Sequence, residues 1–279
     1  LIKIGDYNTL EIVRKADFGY YLEGGTGNTS DDILLPNSSC QGFDLEIGDK
    51  VEAFIYRDSK DRLIATLKKP EAKVGDLAYL KAVSTTSIGS FIDFGLERDI
   101  LVPMKEKLYA LQNDKYYLFY IYLDKTDRIA ATTNIDKYLE TTKEYKMGDT
   151  VTATVYDFQS NKNALVAVDN KYKGIILRNE YFTDIKHGDV LDLRVIKFYE
   201  DGRLGLTPRK IARTEVADLQ ETILEYLRSH DGFMPFNDKS SPEDIYNAFK
   251  ISKKHFKNSL GGLMKKNLIY QDETGTRMK

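Results

Sequence analysis

The sequence has 279 residues, 42% hydrophobic and 11% aromatic, enough apolar material for several packed cores and too much for a disordered chain. Its 41 Lys and Arg against 43 Asp and Glu leave a formal charge of -2, which excludes a uniformly basic packaging protein or a polybasic membrane binder. A single cysteine, Cys40, excludes a disulfide framework. His187, His230 and His255 match no zinc spacing, so no metal or other cofactor is expected. No apolar run approaches the roughly 18 residues of a membrane span. The opening Leu1-Ile2-Lys3-Ile4-Gly5-Asp6 lacks a secretory pattern, so a cytoplasmic protein with no membrane partner is expected.

In chain order, the first strong signal is β. Phe18-Gly19-Tyr20-Tyr21-Leu22 reads as a strand, and Gly24-Gly25-Thr26-Gly27-Asn28 as the hairpin turn after it. That turn is not a phosphate loop, because no Lys-Ser/Thr pair and no helix follow it. Asp32-Ile33-Leu34-Leu35-Pro36 and Val51-Glu52-Ala53-Phe54-Ile55-Tyr56 are further strands. The unit then repeats. Ile55-Tyr56-Arg57-Asp58-Ser59-Lys60-Asp61-Arg62 returns as Ile121-Tyr122-Leu123-Asp124-Lys125-Thr126-Asp127-Arg128, and more loosely as Ile196-Lys197-Phe198-Tyr199-Glu200-Asp201-Gly202-Arg203. Asp99-Ile100-Leu101-Val102-Pro103 and Lys173-Gly174-Ile175-Ile176-Leu177 echo the earlier piece, and Ile88-Gly89-Ser90-Phe91-Ile92 echoes the glycine-centred strand. A period of roughly 65 to 75 residues suits tandem small domains rather than a solenoid. Five strands per unit around a glycine-centred second strand predict OB-type barrels. The expected modules are 1–70, 71–145 and 146–213.

After Pro208 the period turns helical. Val216, Leu219, Ile223, Leu224 and Leu227 form one face of a helix expected to start at Thr214. Gly232 to Phe236 is a short extended segment, and Ser241-Pro242-Glu243-Asp244 reads as a second helix start. A third helix from Ser252 is expected to bury Phe256, Leu260, Leu263 and Met264, before a hairpin at Leu268 to Gly275. Three helices and a hairpin, 214–279, predict an α+β winged helix-turn-helix. Between Ile245 and Gln271 six lysines and no acid occur. Lys265 and Lys266 suit a helix C-terminus, but Lys253 and Lys254 oppose the dipole at an N-terminus, at roughly 0.3 to 1 kcal/mol each. Phosphate contact by Lys253, Lys254 and Lys257 explains that placement; a solvated lysine face is the alternative.

Phe18-Gly19-Tyr20-Tyr21-Leu22 resembles the aromatic strand of the RNA-binding S1 domain. Ile88 to Ile92 keeps the glycine and the second aromatic, and Asn163-Ala164-Leu165-Val166 has lost both aromatics and the glycine. The whole chain, three S1-like barrels and a winged helix, resembles the conserved virulence factor B family of bacterial RNA-binding regulators. Its most telling pieces are Ile55-Tyr56-x-Asp58-x-x-x-Arg62 with its copy, and Ser252-Lys253-Lys254-x-Phe256-Lys257. The resemblance implies cytoplasmic RNA binding and post-transcriptional control.

The residues themselves support a binder rather than an enzyme. The Asp58/Asp61 and Asp124/Asp127 pairs lie at duplicated turns, where a structural role fits better than two active sites. Phe18, Tyr20, Tyr21 and Phe91 are stacking candidates for single-stranded RNA, of which mRNA is the expected kind; alternation requires at least one of the first three to be core or lateral, and burial in a barrel core is the alternative for each. Arg62, Arg128 and Arg203 are candidate phosphate contacts, with pairing to turn aspartates as the alternative for the first two; Arg194 and Lys197 precede Arg203 on its neighbouring strand. Charge by module is -3, -2, +3 and 0 in chain order, which favours residues 146–279 as the main RNA-attracting part. A duplex-DNA-binding transcription factor and a protein-binding scaffold are the competing readings.

Overall fold

A computed structural model describes residues 2–279 except 41, 182, 210 and 211, with residues 212–217 described by backbone alone. The chain divides into two compact units, Leu1–Pro208 and Arg209–Lys279.

Among the described residues the first unit holds three closed five-stranded barrels. The first barrel comprises β1 (Tyr7–Ala16), β2 (Gly19–Leu22), β3 (Ile33–Pro36), β4 (Lys50–Arg57) and β5 (Leu63–Thr66), closed in the order β1-β2-β3-β5-β4. The second repeats that order with β6 (Leu77–Thr85), β7 (Gly89–Ile92), β8 (Ile100–Pro103), β9 (Tyr116–Leu123) and β10 (Ile129–Thr132). The third uses β11 (Thr150–Phe158), β12 (Ala164–Val168), β13 (Tyr172–Ile176), β14 (Val190–Phe198) and β15 (Leu204–Thr207). In each, the third and fifth strands pair in parallel and the other pairs are antiparallel. The expected OB-type architecture is therefore present, and the glycine opening β2 and β7 has a steric reason. A Cβ at Gly19 would stand 2.3 Å from the Leu35 carbonyl oxygen, and one at Gly89 2.2 Å from that of Val102.

Strand alternation fills each core and also joins the barrels. On β4, Ala53 and Ile55 point into the first barrel, while Phe54 and Tyr56 face the second, where Phe54 meets Phe94 at a ring distance of 6.1 Å. The duplicated turns close the same junction with charge: Arg128 reaches Asp61 at 2.5 Å, and Arg57 reaches Asp127 at 3.6 Å. At the next junction, Leu118 and Tyr79 of the second barrel pack with Ile135, Leu139, Tyr156 and Ala167. The Tyr79 hydroxyl donates to the Gly188 carbonyl at 2.8 Å, and the Tyr109 ring stacks on His187 at 3.8 Å.

The second unit contains α1 (Ala212–Ser229), β16 (Phe233–Met234), α2 (Pro242–Phe249), α3 (Lys253–Lys265), β17 (Ile269–Gln271) and β18 (Thr276–Met278), with sheet order β16-β18-β17. This is the expected winged-helix arrangement. α1 begins two residues before Thr214, since Ala212 and Arg213 are strong helix formers; the side chains of Thr214 and Val216 lie outside the described residues. Ser241 caps α2 and Ser252 caps α3, accepting from the amides of Asp244 and His255. Ile223, Leu227, Ile245, Phe256, Leu260 and Leu263 make the core. Met264 does not join it, contrary to expectation, and is 41% exposed. Phe256, Leu260 and Leu263 already fill the seam, leaving Met264 at its edge, where the Gln271 side chain donates to its sulfur.

Candidate nucleic-acid interface

The three barrels present equivalent outward rows across their second, third and fifth strands. Tyr21 lies opposite Leu34 and Leu34 beside Ile64; Phe91, Leu101 and Ala130 form the second row, and Leu165, Ile175 and Gly205 the third. Period two settles which aromatics face outward in the first barrel. Tyr20 is buried with Ile12, Leu22 and Leu35, whereas Tyr21 stands outside beside Phe18, which is 58% exposed and meets it edge-on at 6.2 Å. Sequence reasoning missed the cation on this face: the Arg14 guanidinium lies 3.6 Å over the Tyr21 ring. A bulge between Ile12 and Arg14 shifts the register that brings it there, so simple alternation could not assign its face.

In the second barrel Phe91 is half-buried in the row position of Tyr21, and Ile88, 60% exposed, stands where the first barrel has Phe18. Ser84 replaces Arg14 opposite the aromatic. This platform is apolar and has no cation stacked on it among the described residues.

The third barrel explains its own departures from the aromatic pattern. Its outward residues Tyr156 and Ala167 are 2% and 0% exposed, because the segment after β10 and the second barrel lie across them, and Ile175 is 5% exposed. Backbone bonds from Glu140 to Lys171 and from Lys173 to Glu140 stitch that segment to β13. Asp136 accepts from the Tyr156 hydroxyl at 2.6 Å and from Lys173 Nζ at 2.7 Å. Burial works against the charged form of Asp136, but these hydrogen bonds outweigh it and its carboxyl pKa is lowered. Aromatics on β12 would have no strand to stack on.

The remaining basic candidates are placed as follows. Arg62 pairs within its own turn, donating to Asp58 at 2.7 and 3.0 Å, while Arg128 crosses to Asp61 of the first barrel. Asp58 and Asp124 each also accept amide hydrogen bonds from their own turns, so these carboxylates are structural. Arg203 is forked onto Asp201 at 2.6 and 2.7 Å, a pairing that raises the guanidinium pKa and lowers that of the carboxyl. Lys197 is exposed, its ammonium 4.6 Å over the Tyr199 ring. Arg194 is half-buried between Thr150 and Thr207 of the flanking strands. On α3, Lys254 and Lys257 are exposed, whereas Lys253 turns back to donate to the Lys239 carbonyl at 3.5 Å. Lys266 is held by Gln220 at 2.7 Å. The candidates thus form three groups: an aromatic and arginine face on the first barrel, a basic edge on β14 and β15, and an acid-free helix in the second unit.

Among the described residues no helix is long and apolar enough to cross a membrane, and no cluster of His, Cys, Asp and Glu could hold a metal.

Comparison with known proteins agrees with these elements. Residues 4–68 match the S1 domain, and residues 221–278 match the CvfB-like winged helix domain. The uncharacterized protein YitL of Bacillus subtilis is 34% identical, over 99% of this chain and 93% of its own length. Conserved virulence factor B of Staphylococcus aureus is 28% identical, over 98% of this chain and 92% of its own. A crystal structure of a multidomain protein with nucleic acid binding domains from Streptococcus pneumoniae is 27% identical and superposes with a TM-score of 0.54, covering 99% of this chain and 98% of that one. Similarity that runs through all three barrels and into a family-specific winged helix has one reading: the chain belongs to the conserved virulence factor B family.

Proposed function

We propose that the protein is a bacterial, cytoplasmic, single-stranded RNA-binding regulator that acts after transcription, with mRNA as its ligand class and no catalytic role. The observation that carries this reading is the open face of the first barrel, where Phe18 and Tyr21 stand outside the core with a guanidinium over one ring. Such a platform suits unpaired bases, which stack on aromatics and on arginine planes. The nucleic-acid-binding description of the Streptococcus pneumoniae relative supports the same class of ligand. Charge supports a division of labour. The modules 1–70 and 71–145 carry -3 and -2, and 146–213 carries +3, so phosphate attraction belongs mainly to residues 146–279. Within them Lys197 and Arg194 serve from β14, because the usual strand face of that barrel is covered, and Lys254 and Lys257 serve from α3.

The test is binding of the full chain to one sequence as single-stranded RNA, single-stranded DNA and duplex DNA at a stated salt concentration. Single-stranded RNA binds tightest on this reading. Tighter binding of the duplex would transfer the function to the winged helix as a DNA reader. Failure to bind any of the three would leave a protein-binding scaffold.

A further inference from the structure

Two residue pairs beyond the aromatic row, the open face of the first barrel carries two carboxylates. Leu22 pairs with Ile33 at the end of the β2–β3 ladder, and Glu23 and Asp32 follow it on the outward side. Like charges on facing strands cost stability. The second barrel repeats the arrangement, with Asp93 and Asp99 following the Ile92–Ile100 pair. Beside the first pair opens a cleft of about 230 Å³, lined by Val13, Arg14, Glu23 and Asp32 and bordered by Gly27 of the glycine-rich turn and by Thr29 just after it.

Asp32 is the unusual member. Its side chain is only 7% exposed and lines the cleft, and no described residue donates it a hydrogen bond. The nearest cation, Arg14 Nη2, stops at 3.9 Å, too far to satisfy it. A carboxylate this covered wants donors. Arg14 meanwhile holds its guanidinium carbon 3.6 Å over the Tyr21 ring centroid, with Nη2 the nitrogen that approaches Asp32. It is a planar, donor-rich group over the ring that approaches the acid without reaching it.

We infer that this cleft selects guanine from a single strand, the base taking the place of the Arg14 guanidinium over Tyr21 and donating from N1–H and the 2-amino group to the Asp32 carboxylate. Guanine alone offers two adjacent donors on its Watson–Crick edge, and that edge is chemically a guanidine fragment. Adenine and cytosine set a ring acceptor beside their amino group, against the carboxylate, and uracil has one donor between two carbonyls. The reach is consistent: Asp32 lies two residues from Leu34, the strand partner of Tyr21, or about 7 Å along β3. The displaced Arg14 is left to meet phosphate. The inference rests on the reading that the open face of the first barrel takes a single strand.

The test uses the full chain and fluorescence anisotropy at fixed salt, with short uridine RNA oligomers carrying one central guanosine, adenosine or inosine. Guanosine should bind tighter than adenosine by roughly 5- to 150-fold, the worth of one bidentate base contact. Inosine, which lacks the 2-amino group, should fall between them. Asp32→Asn, which keeps the shape but offers one donor and one acceptor, should erase the preference for guanosine. Equal binding of guanosine and adenosine oligomers by the wild type, inosine equal to guanosine, or a preference that survives Asp32→Asn each overturns the inference while leaving single-strand binding intact. Failure of every oligomer to bind would instead remove the reading beneath it.

Discussion

At the scale of single residues, chemistry was legible where it depended on local alternation and hidden where it depended on a neighbouring module. Period two requires that one of Tyr20 and Tyr21 be core, and Tyr20 is. Arg62 and Arg128 occupy the same place in duplicated motifs, yet one pairs inside its turn and the other across to Asp61 of another barrel. Nothing in the motif separates them, because the difference lies in how two barrels dock. The stacking role of Tyr21 is directly testable against its third-barrel counterpart. Tyr21→Ala should weaken single-stranded RNA binding by roughly 1 to 3 kcal/mol, the worth of one stacked base. Leu165→Ala, in the same row of a covered face, should lower the thermal midpoint with no loss of RNA affinity, as read by paired anisotropy and melting curves.

At the scale of elements, the barrels and the winged helix were readable from the repeat, the helical periods and the Ser241 and Ser252 caps. The covering of the third barrel was not. Its sequence shows only the loss of aromatics from β12, and the reason lies in the segment after β10, whose Ile135, Asp136 and Leu139 carry no motif. On α3 the acid-free face remains exposed at Lys254 and Lys257. Changing both to Ala should reduce the log–log salt slope of RNA binding by about 1.4, at roughly 0.7 for each lost single-strand contact. The junction between the second and third barrels has its own signature. His187 lies half-buried between Tyr109 and Phe158, with Asp157 at 3.8 Å. Burial holds its pKa below the usual value, outweighing the attraction of Asp157. The unfolded chain therefore binds more protons between the two pKa values. This contribution to stability is complete above about pH 6.5 and declines as pH falls through the lowered folded value. Thermal melting from neutral to mildly acid pH should show that decline, and His187→Phe, which keeps a stacked ring without the titration, should flatten it.

At the scale of the whole chain, a net charge of -2 conceals a division between acidic modules with the exposed aromatic face and a basic third module with a covered one. On the proposed reading, the first barrel supplies the stacking face, and the β14 edge and α3 supply cations for phosphate. Sequence composition revealed the charge half of that arrangement; only the packing of linker on barrel revealed which strand face stays open. Photo-crosslinking of thiouridine-labelled single-stranded RNA to the full chain, with peptide mapping by mass spectrometry, tests it most directly. The account predicts crosslinks at Phe18 and Tyr21 and on α3 around Lys254 and Lys257, with none at Leu165 or Ile175. Crosslinks on the β12–β13 face of the third barrel, with none at Phe18 or Tyr21, would contradict it.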